Sequence, residues 1–247
     1  MDNIKSHILV LVEGAKTDLR LMEHLFHLYG IDDKHQVVSY NTNIYTLYNK
    51  MFKDGNPADV DILQLLKENE SDPQKKEIFN KRYSDILLIF DLDPHDSQFS
   101  EDKIMEMINF FVESSDMGKL YLNYPMVEAF YHMKNIPDPD YNSYTVSMDE
   151  LRSKTYKQRV NSENRNRDYS KFAVNRMECN IVIQQNIDKA WKLTEIQRIF
   201  DDTKPLLPDS AEILQKQLLK IKCQNIVSVL CTCAFYIVDY NPRLIST

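Results

Sequence analysis

The chain has 247 residues, of which 43% are hydrophobic and 27% charged, and its formal net charge is −7. This length supports one substantial core, or a core domain with a helical appendage. The acidic balance excludes a protein that coats nucleic acid indiscriminately, because such affinity depends on many Lys and Arg contacts with phosphate. No apolar run approaches the roughly 20 residues that a membrane span needs, so we expect no association with a membrane.

The cysteines fall late in the chain and form no Cys-x-x-Cys pair, which argues against a zinc site. They are Cys179, Cys223, Cys231 and Cys233. Within apolar segments such cysteines are usually small core residues. Their usage favours a reducing, cytoplasmic setting, and the N-terminus lacks the basic start and long apolar run of a signal peptide.

The first residues predict a strand, a tight turn and a helix. The segment from His7 to Val12 is apolar and rich in β-branched residues, which is typical of a strand buried on both faces. It ends at Glu13-Gly14. Apolar residues then recur at helical spacing as far as Tyr29, and Gly30 is placed to end that helix.

The same alternation continues along the chain. The predicted elements are a strand at 36–40, helices at about 44–52 and 60–67, a polar surface loop at 68–76, a buried strand at 85–90, an amphipathic helix from about 104 to 111, a strand at 120–122 and a helix that contains Glu128. Strands that alternate with helices predict an α/β domain with a mostly parallel sheet flanked by helices, over residues 1–135.

The composition changes after residue 135. Residues 136–176 are predicted to form a basic connecting segment, because eight Lys and Arg residues stand against two acids between Arg152 and Arg176. Residues 177–247 are predicted to form a helical C-terminal region, with helices at about 177–193 and 211–238. The apolar stretch 226–238 is interpreted as part of a buried helix, whose apolar surface also suits a homodimer or a partner protein.

Acidic residues follow three of the predicted strands: Glu13, Asp91, Asp93 and Glu128. In an open parallel sheet, ligands bind beyond the carboxyl ends of the strands. Carboxylates that meet there repel unless a cation lies between them, and oxygen ligands suit Mg²⁺ or Mn²⁺. We therefore predict that these four residues are metal ligands and catalytic groups. The alternative is that an acid after a strand, such as Asp91 or Asp96, only caps the next helix.

Two motifs in this order resemble the defining motifs of the TOPRIM domain, which occurs in topoisomerases, bacterial primases and several nucleases. They are "ILVLVEGAKTD", with Glu13, and "DILLIFDLDPHD", with Asp91 and Asp93. A third segment, "LYLNYPMVEAFYHM", is similar to the RloB-type, OLD-type and PARIS-like phage-defence nuclease branch. The resemblance covers about the first 135 residues and implies a TOPRIM-like, Rossmann-like fold.

The resemblance also implies roles for the acidic residues. Glu13 would act as general acid/base or metal ligand, Asp91 and Asp93 would hold the metal, and Glu128 would complete a second metal position. Pro94 stands where many TOPRIM motifs have glycine, and the spacing from Glu13 to Asp91 is longer than in compact members. The number of metal ions, one or two, therefore stays open.

Basic and histidine side chains near this edge are candidates for contact with phosphate or nucleic acid: Lys16, His95, Lys154, Lys157, Arg159, Arg165 and Arg167. In the basic segment, Tyr156, Tyr169 and Phe172 alternate with the cations, a mixture suited to phosphate contact and base stacking. The alternatives are a solvated loop for this segment, an exposed first-turn lysine for Lys16, and a hydrogen-bonding spectator for His95 or His132.

These patterns favour a Mg²⁺-dependent or Mn²⁺-dependent endonuclease that cuts DNA or RNA, and the resemblance adds tRNA cleavage as the toxic effector of an anti-phage system. The second hypothesis is a catalytically silent TOPRIM-fold subunit that binds or regulates a partner ATPase. A small-molecule phosphohydrolase is a third. A topoisomerase is disfavoured because little chain is left for a tyrosine-bearing domain, and a primase because no zinc module is present.

Overall fold

The structure is a computed structural model that describes residues 7–53, 55–115, 117–195 and 207–245. The chain forms two compact units, one made of 1–90 and 102–121 and the other of 91–101 and 122–247. The domain limits predicted at residues 135 and 176 stay a prediction.

A five-stranded sheet with the order β2-β1-β3-β5-β4 organises the first half of the chain. Its strands are β1 (Ile8–Val12), β2 (His35–Ser39), β3 (Asp85–Asp91), β4 (Val112–Glu113) and β5 (Gly118–Asn123). Strand β1 pairs in parallel with β2 and β3, and β4 pairs antiparallel with β5. The predicted α/β class, with a mostly parallel sheet and flanking helices, is confirmed.

The helices of this half are α1 (Thr17–Tyr29), α2 (Ile44–Met51), α3 (Ile62–Asn69), α4 (Pro73–Phe79) and α5 (Glu101–Phe110). Helix α1 ends at Gly30, whose left-handed φ of 67° needs no Cβ, as predicted. The prediction of a loop over 68–76 is wrong in its second half. There the Asp72 side chain accepts a hydrogen bond from Gln74 N and Pro73 occupies the first turn, so α4 begins.

The second unit is built mainly from helices and one two-stranded antiparallel sheet. Its elements are β6 (Thr145–Ser147), α6 (Met148–Arg152), α7 (Tyr156–Glu163), α8 (Arg176–Thr194), α9 (Ser210–Gln224), β7 (Ile226–Ser228) and α10 (Tyr236–Tyr240). The helix predicted around Glu128 is a 3-10 helix, Val127–Tyr131. The segment predicted as a basic connection contains α6 and α7, with Tyr156 and Val160 buried.

The prediction of one helix over 211–238 is wrong. Helix α9 stops at Asn225, which is left-handed with φ 57°, and β7 follows at once. Strand β7 pairs antiparallel with β6, and the Gln217 side chain donates to Ser228 O at 2.8 Å and accepts from Ser228 N at 2.9 Å. The β-branched residues after Asn225 thus pair with a distant strand, which no local pattern in 226–238 indicates.

A lysine is buried in the second unit. Lys189, 1% exposed, donates from Nζ to Tyr141 O and Tyr144 O, each at 2.8 Å. Burial is the main reason that the pKa of Lys189 lies well below its usual value.

Within the described ranges, no helix is long and apolar enough to cross a membrane.

Candidate active site

The Asp91-Leu92-Asp93 segment leaves strand β3 in a constrained path. Asp91 is the last residue of β3 and is 7% exposed. Leu92 N donates to Asn123 O at 3.0 Å, and Asp93 N donates to Pro125 O at 3.1 Å. Asp93 has a φ of 40°, in the left-handed region that non-glycine residues seldom adopt. Backbone contacts with the last residue of β5 and with Pro125 therefore fix the segment that carries the two carboxylates.

Asn123, the last residue of β5, is fully buried and orients Asp91. Its side-chain Oδ1 accepts a hydrogen bond from Cys233 N at 3.2 Å. The side-chain NH₂ group therefore points toward Asp91, and Nδ2 donates to Asp91 Oδ1 at 3.4 Å. Asn123 was not predicted as a site residue. A single polar side chain at the end of the apolar run Leu120–Leu122 is the signal that could have found it.

Glu128 places a buried carboxylate in the same unit. It lies in the 3-10 helix Val127–Tyr131 and is 2% exposed. Its Oε1 lies 3.0 Å from Lys157 Nζ. Its Oε2 is buried and, among the residues that the structure describes, has no hydrogen-bond partner.

Lys157, in α7, supplies the positive charge beside these acids. Burial alone would lower its pKa, but Glu128, Asp91 and Asp93 together hold that pKa above its usual value. Lys157 was predicted as a possible contact with phosphate or nucleic acid, and this stays a prediction. Its ammonium group pairs with a buried carboxylate, while 62% of its side chain stays exposed.

Asp93 and His95 lie near these acids and are more exposed than Asp91 and Glu128. His95 Nδ1 lies 4.0 Å from Asp93 Oδ1, too far for a hydrogen bond, and within the described residues neither buried atom has a hydrogen-bond partner. Burial raises the pKa of Asp93; His95 and Lys157 oppose that shift, whereas Glu128 and Asp96 add to it. We refer to Asp91, Asp93, His95, Glu128 and Lys157 as the acidic cluster.

Two observations bear on whether the acidic cluster fits a divalent cation. Asp93 Oδ1 and Glu128 Oε2 are buried carboxylate oxygens without a partner in the described part of the chain, and such oxygens are the ligands that a hard divalent cation prefers. Against this, no three His, Cys, Asp or Glu side chains among residues 7–53, 55–115, 117–195 and 207–245 form a metal-holding group. The donor types fit Mg²⁺ or Mn²⁺, and Lys157 supplies positive charge at Glu128.

Glu13 belongs to the first unit. It follows β1, its N–H donates to Ile89 O at 3.1 Å, and its carbonyl accepts from Asn41 N at 2.9 Å. A Cβ added to the neighbouring Gly14 would lie 2.5 Å from Asp18 Oδ2, so a larger residue here would have to displace the Asp18 carboxylate. Asp18, buried in the first turn of α1, was not predicted as a site residue. That Glu13 acts with the other three acids stays a prediction, as does phosphate contact by the exposed Lys16.

The structure gives most cations of the basic segment a partner. Arg159 Nη1 lies 2.7 Å from Glu150 Oε2, and Arg165 Nη1 lies 2.7 Å from Glu178 Oε1. Lys154 and Arg167 are exposed, and neither has a carboxylate partner among the described residues. Phosphate contact by all four side chains stays a prediction.

Base stacking was predicted for three aromatic residues of this segment, and for Tyr156 and Phe172 the prediction is wrong. Tyr156 is 1% exposed and Phe172 is 2% exposed, so both belong to the core. Tyr169 stacks on Tyr131, with ring centres 4.3 Å apart. Aromatic residues placed among charges can thus be the buried face of a short helix, as Tyr156 is in α7.

His132 is fully buried away from solvent. Its Nδ1 lies 3.2 Å from Tyr156 Oη and its Nε2 lies 3.2 Å from Glu163 Oε2. Burial lowers the pKa of His132 to about 4, with Arg159 adding to the shift and Glu163 opposing it. A neutral, doubly hydrogen-bonded histidine of this kind is a structural group.

Comparisons with known proteins add no identification: no protein-family model, curated protein or solved structure matches this chain. The acidic cluster is therefore interpreted from its own residues.

Proposed function

We propose that this protein is a metal-dependent endonuclease that cleaves phosphodiester bonds in DNA or RNA, tRNA included, as the effector of an anti-phage defence system. The observation that carries the proposal is the buried acidic cluster, in which Asp93 Oδ1 and Glu128 Oε2 have no partner within the described residues. The resemblance of the two strand-end motifs to those of TOPRIM nucleases supports the substrate class and the defence role.

Each residue of the acidic cluster then has a role. Asp91, Asp93 and Glu128 would hold Mg²⁺ or Mn²⁺, which when bound lowers the pKa of a water molecule and neutralises charge on the leaving oxygen. Asn123 fixes the orientation of the Asp91 carboxylate through its amide. Lys157 attracts a phosphate oxygen, and His95 places an imidazole beside Asp93 as a proton carrier.

The test is cleavage of plasmid DNA and total tRNA by the purified protein in Mg²⁺, Mn²⁺ or EDTA. We expect cleavage with either metal, none in EDTA, and a loss of about 100-fold or more for Asp91→Asn and for Glu128→Gln. Asp85→Asn is the matched control, because Asp85 begins the strand that Asp91 ends and its carboxylate accepts hydrogen bonds from the Ser84 and Ser114 hydroxyls. Cleavage that survives both site substitutions would contradict the assignment.

One observation favours a second function, a catalytically silent subunit that binds or regulates an ATPase-containing complex. The Glu128–Lys157 pair, at 3.0 Å, neutralises the most buried acid of the cluster with a side chain of the protein itself. A silent subunit would cleave neither substrate with either metal, and Mg²⁺ would not raise its melting temperature. A nuclease that a partner activates would also fail to cleave alone, but Mg²⁺ would stabilise it.

A further inference from the structure

The two carboxylate oxygens of Glu128 differ in what surrounds them. Oε1 lies 3.0 Å from Lys157 Nζ, so a cation of the protein itself neutralises that side of the acid. Oε2 is buried and, among the described residues, has no hydrogen-bond partner. The most buried acid of the acidic cluster therefore has one oxygen in an ion pair and one oxygen without a hydrogen bond in the described chain.

Lys157 lies near all three acids of the cluster and not only near Glu128. Burial by itself would lower its pKa, but the charges of Glu128, Asp91 and Asp93 hold that pKa above its usual value. Lys157 belongs to α7, in which its neighbour Tyr156 is buried. The packing of this helix therefore sets where the ammonium group meets the acids, although 62% of the lysine side chain is exposed.

Asp93 supplies a second carboxylate oxygen of the same kind. Its Oδ1 is buried and has no hydrogen-bond partner within the described residues. Its backbone N–H donates to Pro125 O at 3.1 Å, three residues before Glu128 in the chain. Burial raises the pKa of Asp93, Lys157 opposes that shift, and the charge of Glu128 adds to it. The two oxygens without partners thus belong to acids that act on each other.

This donor set suits one Mg²⁺ ion better than two. Mg²⁺ is usually held by one or two carboxylates and keeps several water molecules, so it needs no group of three acidic side chains, and none exists within the described ranges. A second ion would lie about 3.5–4 Å from the first. Asp91, Asp93 and Glu128 carry three negative charges and Lys157 one positive charge, which leaves two for a single divalent cation to balance.

We propose that Lys157 takes the place of a second divalent cation, so that the acidic cluster binds a single Mg²⁺ or Mn²⁺ ion. The observation that carries this step is the ion pair at Glu128 Oε1, where a second ion would otherwise bind. The inference rests on the proposed metal-dependent nuclease and gives the number of ions, which the sequence leaves open. Lys157 then neutralises phosphate charge that a second ion neutralises in a two-metal nuclease.

The test is titration of the metal-free full chain with Mn²⁺, followed by calorimetry and by electron paramagnetic resonance. We expect one ion per chain with a dissociation constant below about 1 mM, and the spectrum of an isolated Mn²⁺. Asp93→Asn should abolish this binding, which assigns the ion to the cluster. Two ions per chain, or the spectrum of a coupled pair, would overturn the inference and leave the proposed nuclease standing. Absence of Mn²⁺ binding would overturn both.

Variants of Lys157 test its part in this count. Lys157→Ala frees Glu128 Oε1 and makes the cluster more negative, so we expect it to bind a second Mn²⁺ ion. Lys157→Arg keeps the positive charge and should still bind one, as should the control Lys222→Ala, at an exposed lysine of α9. A single ion in folded Lys157→Ala would overturn the role of Lys157. If that variant does not fold, the count in the natural protein decides by itself.

Discussion

At the scale of single residues, Lys157 decides how the acidic cluster is neutralised. Its ammonium group lies 3.0 Å from Glu128 Oε1, and the charges of three acids hold its pKa high. A lysine in this position supplies positive charge without a metal, and it would share that role with any divalent cation that bound there. The nuclease and the silent subunit therefore differ in how Lys157 and Mg²⁺ influence each other.

Lys157→Gln is expected to lower the unfolding free energy by about 1–2 kcal/mol in EDTA, because Glu128 then keeps a buried charge without its counter-ion. Most of the Lys157 side chain is exposed, which keeps the loss below that of a fully buried pair. In Mg²⁺ the loss should shrink, since the cation takes over the compensation. Urea unfolding with and without Mg²⁺ measures both values.

The matched control for this substitution is Lys154→Gln, at an exposed lysine that has no carboxylate partner within the described residues. Its expected effect is within about 0.5 kcal/mol under both conditions. An equal loss for Lys157→Gln with and without Mg²⁺ would argue against a cation site at Glu128.

His132 makes stability depend on acid pH. Its pKa in the folded protein is about 4 because of burial, against an ordinary value of 6.5. Between these two pH values the unfolded chain binds more protons than the folded one, so the unfolding free energy falls as pH falls through this window. The expected loss is about 3 kcal/mol.

Urea unfolding between pH 7 and pH 4 measures that slope, and His132→Gln should flatten it because the titrating group is gone. His27→Gln, at an exposed histidine of α1, should leave the slope as it is in the natural protein. A slope that is identical in the His132 variant and the natural protein would show that other groups cause the acid loss.

At the scale of elements, one left-handed residue separates α9 from β7. Asn225 has a φ of 57°, and its N–H donates to Ile221 O at 3.1 Å, closing the helix. Strand β7 then pairs with β6 over Ile226–Ser228. The left-handed residue just before the apolar run 226–238 thus ends the helix, although the composition of the run favours a helix.

Asn225→Val is expected to lower the unfolding free energy by about 1–2 kcal/mol, since a β-branched residue pays the steric cost of the left-handed conformation. Asn225→Gly should change it by less than about 0.5 kcal/mol. Gln224→Val, one residue earlier in the helix, separates helix propensity from left-handed strain and should cost only about 0.5 kcal/mol. Equal losses for Val at both positions in urea unfolding would contradict this account.

The sequence predicted most elements of the first unit and fewer of the second. The strands β1 and β3 were predicted because runs such as Ile8–Val12 are buried along their whole length. Helix α4 was missed, although Asp72-Pro73 is a recognisable helix start. The predictions for the short elements around Glu128 and at β7 were wrong. Contacts with distant segments, such as the β6–β7 pairing, override the local propensity of these residues.

At the scale of the whole molecule, charge limits how the protein meets nucleic acid. The net charge is −7, and most cations of the basic segment already have partners, for example Arg159 with Glu150. Binding should then rest on few phosphate contacts. Weak intrinsic affinity is consistent with a nuclease that depends on a partner to engage its substrate.

If a single-stranded oligonucleotide binds, the logarithm of its affinity should fall with the logarithm of salt concentration with a slope of about −2 to −3. Lys154→Gln combined with Arg167→Gln should reduce the size of the slope by about 1, because both side chains are exposed and without a carboxylate partner in the described residues. Fluorescence anisotropy between 50 and 200 mM salt, a range over which phosphate contacts weaken measurably, measures it. A slope steeper than about −6 would mean that the ion pairs of the segment open to bind phosphate.

The sequence by itself determined the α/β class, the parallel core strands and the strand-end positions of Glu13, Asp91 and Asp93. These features follow from local sequence patterns, because neighbouring residues determine whether a strand is buried and where a helix begins or ends. Only the tertiary structure decided which side chains meet. Lys157 pairs with Glu128, and Asn123 orients Asp91, which lies 32 residues earlier in the chain. Tyr156, predicted to contact nucleic acid, is buried in the core. Such contacts join distant segments, and no periodicity along the chain encodes them.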